Sequence, residues 1–122
     1  MSQGGLGAMS EERSTSDRVR EAAAGRTLCS LAQNHGITHA FGVVSIHNQP
    51  IVDALAADGR YVPVRHEATT ISAADGFSRV AETLGLAVTS TGTGAGNAAG
   101  ALIEAMTAGA RVLHVTGNIE ST

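Results

Sequence analysis

A carboxylate follows directly on a short apolar segment in the middle of the chain. Glu67 comes after residues 61–64, which have the composition of a buried strand, and it begins a run of small residues with helical spacing. Open α/β sheets bind their ligands at the carboxyl ends of such strands. A carboxyl group shielded from water there can hold or transfer a proton. Glu67 is therefore a candidate for acid–base chemistry, and the alternative is an ordinary acidic residue at a helix N-terminus.

A glycine-rich segment, TGTGAGN at residues 91–97, lies between an apolar strand and a helix rich in alanine. Its glycines permit a tight turn and a close approach of the backbone to a ligand. The match to a dinucleotide-binding fingerprint is incomplete, because the third glycine falls one residue early. The segment indicates either a ligand-binding turn or a plain strand-to-helix connection, and a nucleotide-binding α/β domain remains an alternative function.

Other ionisable residues point less directly to chemistry. His47 falls in the first strand-to-helix loop, at the same predicted sheet edge as Glu67, whereas His114 falls within a strand and is expected to be a packed core histidine. Asp75 and Arg79 are four residues apart on one predicted helix and are expected to pair. No two His, Cys, Asp or Glu residues have a spacing typical of a metal site, so we predict no metal ligands in this chain.

The elements that position these residues alternate between strand and helix. Strands are predicted at residues 38–44, 61–64, 86–89 and 111–116, and helices at residues 25–34, 50–57, 67–81 and 97–108. Such alternation with short connections predicts a parallel sheet with right-handed crossovers and helices on both faces. We therefore predict an α/β fold of three layers, α/β/α, with a mostly parallel sheet. Four strands make up most of such a domain, which predicts that the sequence is truncated at its C-terminal end.

Composition limits the class of protein and its partners. The chain has 122 residues, of which 43% are hydrophobic and only 2% aromatic, so its core must be aliphatic. The net charge is −3, and the absence of a basic run or an aromatic platform argues against nucleic acid as a partner. No apolar run reaches the roughly 18 residues that a membrane span needs.

The N-terminal part of the chain differs from the rest. Residues 1–24 are rich in Gly, Ser, Glu and Arg and are predicted to be a flexible tail, in which residues 17–24 could form a helical turn or two. Residues 25–122 are predicted to form one incomplete domain. Cys29 is the only cysteine and is expected to be buried. A single thiol and an N-terminus without a signal-peptide pattern predict a cytoplasmic location.

Three segments taken together resemble a known family. The resemblance is carried, in order and spacing, by FGVVSIHNQPIVDAL, VPVRHEATTISAADGFSR and TSTGTGAGNAAGALIEAMTAGARVLHVTGN. These are similar to the N-terminal pyrimidine-binding domain of thiamine diphosphate-dependent enzymes, in the group of acetolactate synthase, pyruvate decarboxylase and benzoylformate decarboxylase. The resemblance covers residues 25–118. The family often has a proline in the glycine turn, where this chain has Thr93, and this departure weakens the likeness to acetolactate synthase in particular.

The resemblance implies a cofactor, thiamine diphosphate, and a role for the candidate carboxylate. Glu67 matches the family's catalytic glutamate, which hydrogen-bonds the pyrimidine ring and favours its imino tautomer. The exocyclic nitrogen then deprotonates the thiazolium carbon, which attacks a 2-oxo acid. The implied cofactor-binding residues are Glu67, Val44, Ser90, Gly92, Thr93, Gly94 and Asn97. The implied substrate-pocket residues are Ser45, His47 and His66.

The resemblance also implies that this chain holds half of a site. In the family a separate domain with a Gly-Asp-Gly start holds the diphosphate and its Mg²⁺, and this sequence has no such pattern. We expect a diphosphate-binding domain or subunit as partner, a homo-oligomer in the complete enzyme, and no turnover by the chain alone. FAD, which some relatives bind, is not supported by this sequence. The favoured function is the pyrimidine-binding part of a 2-oxo acid decarboxylase or an acetolactate synthase-like carboligase. The alternatives are a non-catalytic remnant or one subunit of a two-chain enzyme.

Overall fold

The computed structural model describes residues 14–118, in which four parallel strands alternate with four helices. The helices are α1 (Thr15–Asn34), α2 (Gln49–Ala57), α3 (Glu67–Ala81) and α4 (Thr93–Thr107). The strands are β1 (Ala40–Gly42), β2 (Tyr61–Pro63), β3 (Gly85–Thr89) and β4 (Val112–Thr116). The predicted order of strands and helices is confirmed within these residues.

The sheet has the strand order β2-β1-β3-β4, and each neighbouring pair is parallel. Ala40 of β1 lies opposite both Tyr61 of β2 and Leu86 of β3, which places β1 between them. The chain leaves β1 toward one side of the sheet and then crosses back to β3 on the other side. The direction of winding therefore reverses between β1 and β3. Their carboxyl ends form a topological switch point, where an open α/β sheet has a ligand-binding crevice.

A pair of helices covers each face of the sheet, which confirms the predicted three-layer α/β/α architecture. Helices α1 and α2 pack on the face toward which Leu86 and Val88 of β3 point, and α3 and α4 pack on the face of Ala87. This division follows from the alternation of side chains along a strand. The core is aliphatic, and Cys29 of α1 is buried in it as expected.

Helix α1 begins at Thr15 rather than at Gly25. Ser14 caps the helix, because its side chain accepts a hydrogen bond of 3.2 Å from the backbone of Asp17. Gly25 is a buried residue within the helix, where a Cβ atom would lie 2.3 Å from the carbonyl oxygen of Pro50 in α2. This glycine thus serves a close helix crossing and marks no boundary. The prediction of a flexible tail is therefore wrong for residues 15–24, and residues 1–13 lie outside the described part of the chain.

Helix α4 also begins earlier than predicted, at Thr93 instead of Asn97, so that Gly94 is helical. Gly92 is its N-cap, with φ 60° in the left-handed region that favours glycine. The glycine-rich turn is thereby reduced to residues 90–92. Strand β1 is shorter than predicted, because residues 43–48 form a loop at the switch point.

Candidate functional site

The chain segments that follow β1, β3 and β4 are tied together at the carboxyl edge of the sheet. The hydroxyl of Thr116 donates a hydrogen bond of 2.8 Å to the carbonyl oxygen of Ser90. The backbone N–H of Gly117 donates to Thr89, and a Cβ atom at Gly117 would lie 2.5 Å from the carbonyl oxygen of His47. These contacts fix the loops relative to one another at the switch point.

Asn48 organises the loop after β1, a role that was not predicted from the sequence. Its side chain is fully buried, with Oδ1 accepting from the backbone N–H of Ser45 at 2.7 Å and Nδ2 donating to the carbonyl oxygen of Val43 at 2.9 Å. Asn48 is also the N-cap residue of α2, which has Pro50 in its first turn. An asparagine two residues before a proline at a helix start is a sequence signal for such a position.

The side chains of this loop differ in polarity. Val44 and Ile46 are 51% and 72% exposed. Between them, the hydroxyl oxygen of Ser45 is buried and has no hydrogen-bond partner among the described residues. A buried hydroxyl without a partner is costly, by about 1–3 kcal/mol.

Glu67 is the first residue of α3, and its side chain reaches across to the first two turns of α4. Its Oε1 lies 3.1 Å from the point that a Cβ atom on Gly94 would occupy, and the same point lies 2.9 Å from the Cβ of Ser90. Its Oε2 accepts a hydrogen bond of 3.4 Å from Nδ2 of Asn97, which is 30 residues away in sequence. The structure therefore brings four of the predicted site residues into one cluster.

Two helix N-termini lie close to the carboxylate of Glu67. Glu67 lies at the N-terminus of its own helix and contacts the N-terminal turns of α4, and the N-terminus of a helix carries partial positive charge. Glu67 is half-buried, so the described residues form only part of the dry environment that was expected for it.

The structure gives His66 a capping role outside this cluster. His66 is exposed, and its Nδ1 accepts a hydrogen bond of 3.1 Å from the backbone N–H of Ala68 at the start of α3. His47 is also exposed, and its backbone and Cβ make the close contact with Gly117. The other predicted cofactor residues lie in the loops at the same sheet edge or at the start of α4, and they are Val44, Gly92 and Thr93.

The remaining ionisable residues of interest lie outside the cluster. Nε2 of His114 is 2.7 Å from the hydroxyl of Thr89, and burial lowers the pKa of this half-buried histidine. Arg79 donates two hydrogen bonds, of 2.6 and 3.1 Å, to the nearly buried carboxylate of Asp75, as expected from their spacing. This ion pair lies toward the opposite, amino edge of the sheet, beside an open cavity of about 500 Å³ that Arg79 lines.

Within residues 14–118, no three or more His, Cys, Asp or Glu side chains are grouped so that they could hold a metal ion. In the same part of the chain, no helix has both the length and the apolar character needed to cross a membrane.

A parallel sheet between two layers of helices, with a glutamate near its switch point, is the arrangement in which open α/β domains bind ligands. Residues 23–122 match the family model described as the N-terminal TPP binding domain of thiamine pyrophosphate enzymes. The chain belongs to this family, and the resemblance found in the sequence is confirmed.

Individual relatives agree with this assignment. A 2-hydroxyacyl-CoA lyase 2 from Danio rerio is 34% identical over 94 residues, which cover 76% of this chain and 15% of the lyase. An acetolactate synthase from Arthrospira platensis is 31% identical over 116 residues, which cover 91% of this chain and 20% of the synthase. The solved structure of the thiamine diphosphate-dependent 4-hydroxybenzoylformate decarboxylase of Rhodococcus jostii RHA1 matches with a TM-score of 0.71 and 29% identity, over 77% of this chain and 18% of its own. The chain spans a fifth or less of the length of these relatives.

Proposed function

We propose that this domain binds the aminopyrimidine end of thiamine diphosphate and that Glu67 is the carboxylate that acts on it. The observation that carries the proposal is the position of Glu67, whose Oε1 lies beside the bare backbone of Gly94 at the switch-point crevice. Membership of the thiamine pyrophosphate enzyme family supports the choice of cofactor.

The residues at the switch point fit such a ring in their chemistry. An aminopyrimidine is flat and has apolar faces, but its edge carries nitrogen donors and acceptors. Gly94 has no side chain to occupy the space beside Glu67. Val44 and Ile46 supply exposed apolar surface in the loop after β1. A carboxylate and apolar walls are the groups that would bind the ring.

The roles of the individual residues follow from this fit. Glu67 would hydrogen-bond the ring nitrogen and hold a proton there, and the backbone at Gly92 and Gly94 would permit a close approach. Ser90, Thr93 and Val44 would contact the ring from the loops around it. When bound, thiamine diphosphate would supply a carbon nucleophile and a cationic ring that takes up the electron pair of the bond broken in the substrate. Ser45, His47 and His66 stay predicted members of the substrate pocket.

For the complete protein we propose a thiamine diphosphate-dependent lyase or transferase. The names of its relatives, which include a lyase, a synthase and a decarboxylase, support this reaction class. We propose 2-oxo acids as the substrates, as for the decarboxylases of the family; the lyase is named for a 2-hydroxyacyl-CoA instead. We propose that a further domain or subunit holds the diphosphate with Mg²⁺, that the assembly is a cytoplasmic homo-oligomer, and that this chain alone turns nothing over. The partial exposure of Glu67 supports a partner, because another surface must cover the carboxylate to exclude water.

Replacement of Glu67 by Gln tests the proposal in the complete protein that carries the diphosphate-binding part. Because Gln cannot transfer a proton, we expect thiamine diphosphate-dependent decarboxylation of a panel of 2-oxo acids to fall roughly a hundredfold or more. Glu104→Gln changes an exposed residue of α4 in the same way and should retain activity. Activity of the Glu67 variant within a few-fold of the unmodified protein would refute the role.

A further inference from the structure

We infer that the start of α4 gives different tasks to the two oxygens of Glu67: Asn97 holds Oε2, and Oε1 is left as the oxygen that carries the exchangeable proton. Asn97 is then a positioning residue that acts through Glu67, in place of its predicted role as a direct cofactor ligand. The identity of the group that shares this proton rests on the proposed function, whereas the division between the two oxygens rests on the geometry of the chain itself.

The hydrogen bond from Asn97 distinguishes the two oxygens. Nδ2 of Asn97 lies 3.4 Å from Oε2 of Glu67 and can only donate. In a neutral carboxyl group the carbonyl oxygen accepts a hydrogen bond better than the hydroxyl oxygen does. A donor fixed at Oε2 therefore favours the form of Glu67 that has its proton on Oε1.

Gly94 keeps the space beside the other oxygen open. Oε1 lies 3.1 Å from the point that a Cβ atom on Gly94 would occupy, so any side chain at this position would compete for that space. Gly94 and Asn97 are three residues apart in α4 and therefore lie on the same face of the helix. One helix face thus holds one carboxylate oxygen and leaves room at the other.

The contact can be tested in the full 122-residue chain without any cofactor, by comparing Asn97→Asp with and without Glu67→Gln. In the presence of Glu67 the new carboxylate faces a second one, and the unfolding equilibrium constant should rise roughly threefold or more because of charge repulsion. In the Glu67→Gln background the repulsion is gone, the Gln amide can donate to the new carboxylate, and an acidic residue near a helix N-terminus is favourable. The urea midpoint should there be unchanged or higher. Ala99→Asp, which adds the same charge at an exposed position of α4, should have equal effects in both backgrounds.

Asn97→Ala supplies the same comparison if the Asp variant does not fold. Alanine is the better helix former, which favours this variant in both backgrounds. With Glu67 present, the variant also loses a charge-assisted hydrogen bond. The urea midpoint should therefore rise more in the Glu67→Gln background than in the unmodified one. Equal midpoint shifts in the two backgrounds, for either variant, would overturn the contact between Asn97 and Glu67.

A kinetic measurement on the complete protein separates positioning from packing. Asn97→Ala should lower kcat at least tenfold, a loss of about 1.4 kcal/mol, with little change in KM, because Glu67 remains present but its proton is no longer confined to Oε1. An unchanged kcat would overturn the positioning role even if the coupling in the chain is found. If instead Glu67→Gln retains activity while the coupling persists, the proposed function fails and the hydrogen-bond geometry stands.

Discussion

The carboxylate of Glu67 lies directly over the bare backbone of Gly94, with Oε1 3.1 Å from the point where a Cβ atom would sit. The two residues belong to different helices, and this contact joins the start of α3 to the start of α4. Position 94, over which the carboxylate passes, therefore favours glycine, which has no side chain. A single added methyl group should reveal how closely the site is packed.

Gly94→Ala should destabilise the chain, although alanine normally stabilises a helix relative to glycine. The methyl group would lie 2.9 Å from the Cβ of Ser90, closer than carbon atoms pack, so Glu67 or the loop must move. Overpacking of this kind costs roughly 1–3 kcal/mol, against a helix-propensity gain of about 1 kcal/mol at most. We expect an unfolding free energy about 1 kcal/mol lower than that of the unmodified chain, measured by urea denaturation. Gly96→Ala is the matched control, because nothing lies within 4 Å of its added methyl group, and equal stability of the two variants would contradict the contact.

Two other glycines in α3 and α4 have no structural role that the described chain explains. Gly76 and Gly100 are exposed, have ordinary helical φ angles and have nothing within 4 Å of an added Cβ atom. Each substitution to alanine should therefore raise the unfolding free energy by roughly 0.5–1 kcal/mol.

Gly100→Ala also tests the proposed homo-oligomer. Ile103 and Met106 of α4 are 61% and 75% exposed, and small residues beside them permit a second surface to approach closely. If a partner packs on α4, Gly100→Ala should weaken the oligomer of the complete protein, measured by sedimentation, while it stabilises the isolated chain. An oligomer as stable as before would show that the partner contacts another surface.

Asn48 offers a test of the loop after β1. Asn48→Ala leaves the N–H of Ser45 and the carbonyl of Val43 without their partner inside the fold, and we expect a loss of about 2–3 kcal/mol in unfolding free energy. Asn48→Asp has nearly the same shape and keeps the acceptor for Ser45, but it replaces the donor to Val43 by a buried negative charge. Its loss should be at least as large at neutral pH and should shrink on acidification. Equal stability of the Asp variant and the unmodified chain would show that the donor is not needed.

The stability of the chain should depend on pH through His114. Burial lowers the pKa of His114 from its ordinary value of 6.5, so the unfolded chain binds the proton more readily than the folded chain does. Stability is therefore complete above the ordinary pKa and falls as the pH drops toward the folded-state pKa. We expect urea midpoints to fall between about pH 7.5 and pH 5.5, and to fall less in His114→Gln. The same substitution at exposed His35 is the control, and an unchanged slope in the His114 variant would contradict the assignment.

The order of elements and the position of Glu67 were predictable because the signals are local. Apolar strands alternate with helical segments, and Glu67, which precedes a run of small residues, is the first residue of α3 as predicted. The start of α4 was not predictable in the same way. Glycine disfavours helices on average, so TGTGAG indicates a turn. Gly94 is nevertheless helical, and its lack of a side chain matches the close approach of Glu67, which is distant in sequence.

The beginning of α1 was missed for a related reason. Glycine is a residue typical of helix boundaries, but Gly25 lies inside α1, where Pro50 approaches too closely for a side chain. Asn48 was missed because a polar residue in a loop gives no sign that it is buried; its burial depends on how the loop folds back on Val43. The capping of α3 by Nδ1 of His66 was also not predicted, because several residue types can cap a helix and the sequence does not say which way this side chain turns.

The close contact between Gly117 and the backbone of His47 has a consequence for exchanging parts between relatives. If residues 43–48 were replaced by the same loop of another family member, the new loop would contact the recipient's residue at position 117. A residue with a side chain there would push the loop outward. Chimeras that carry residues 43–48 and 116–118 from the same donor should keep the shape of the crevice, whereas those that mix donors should lose it.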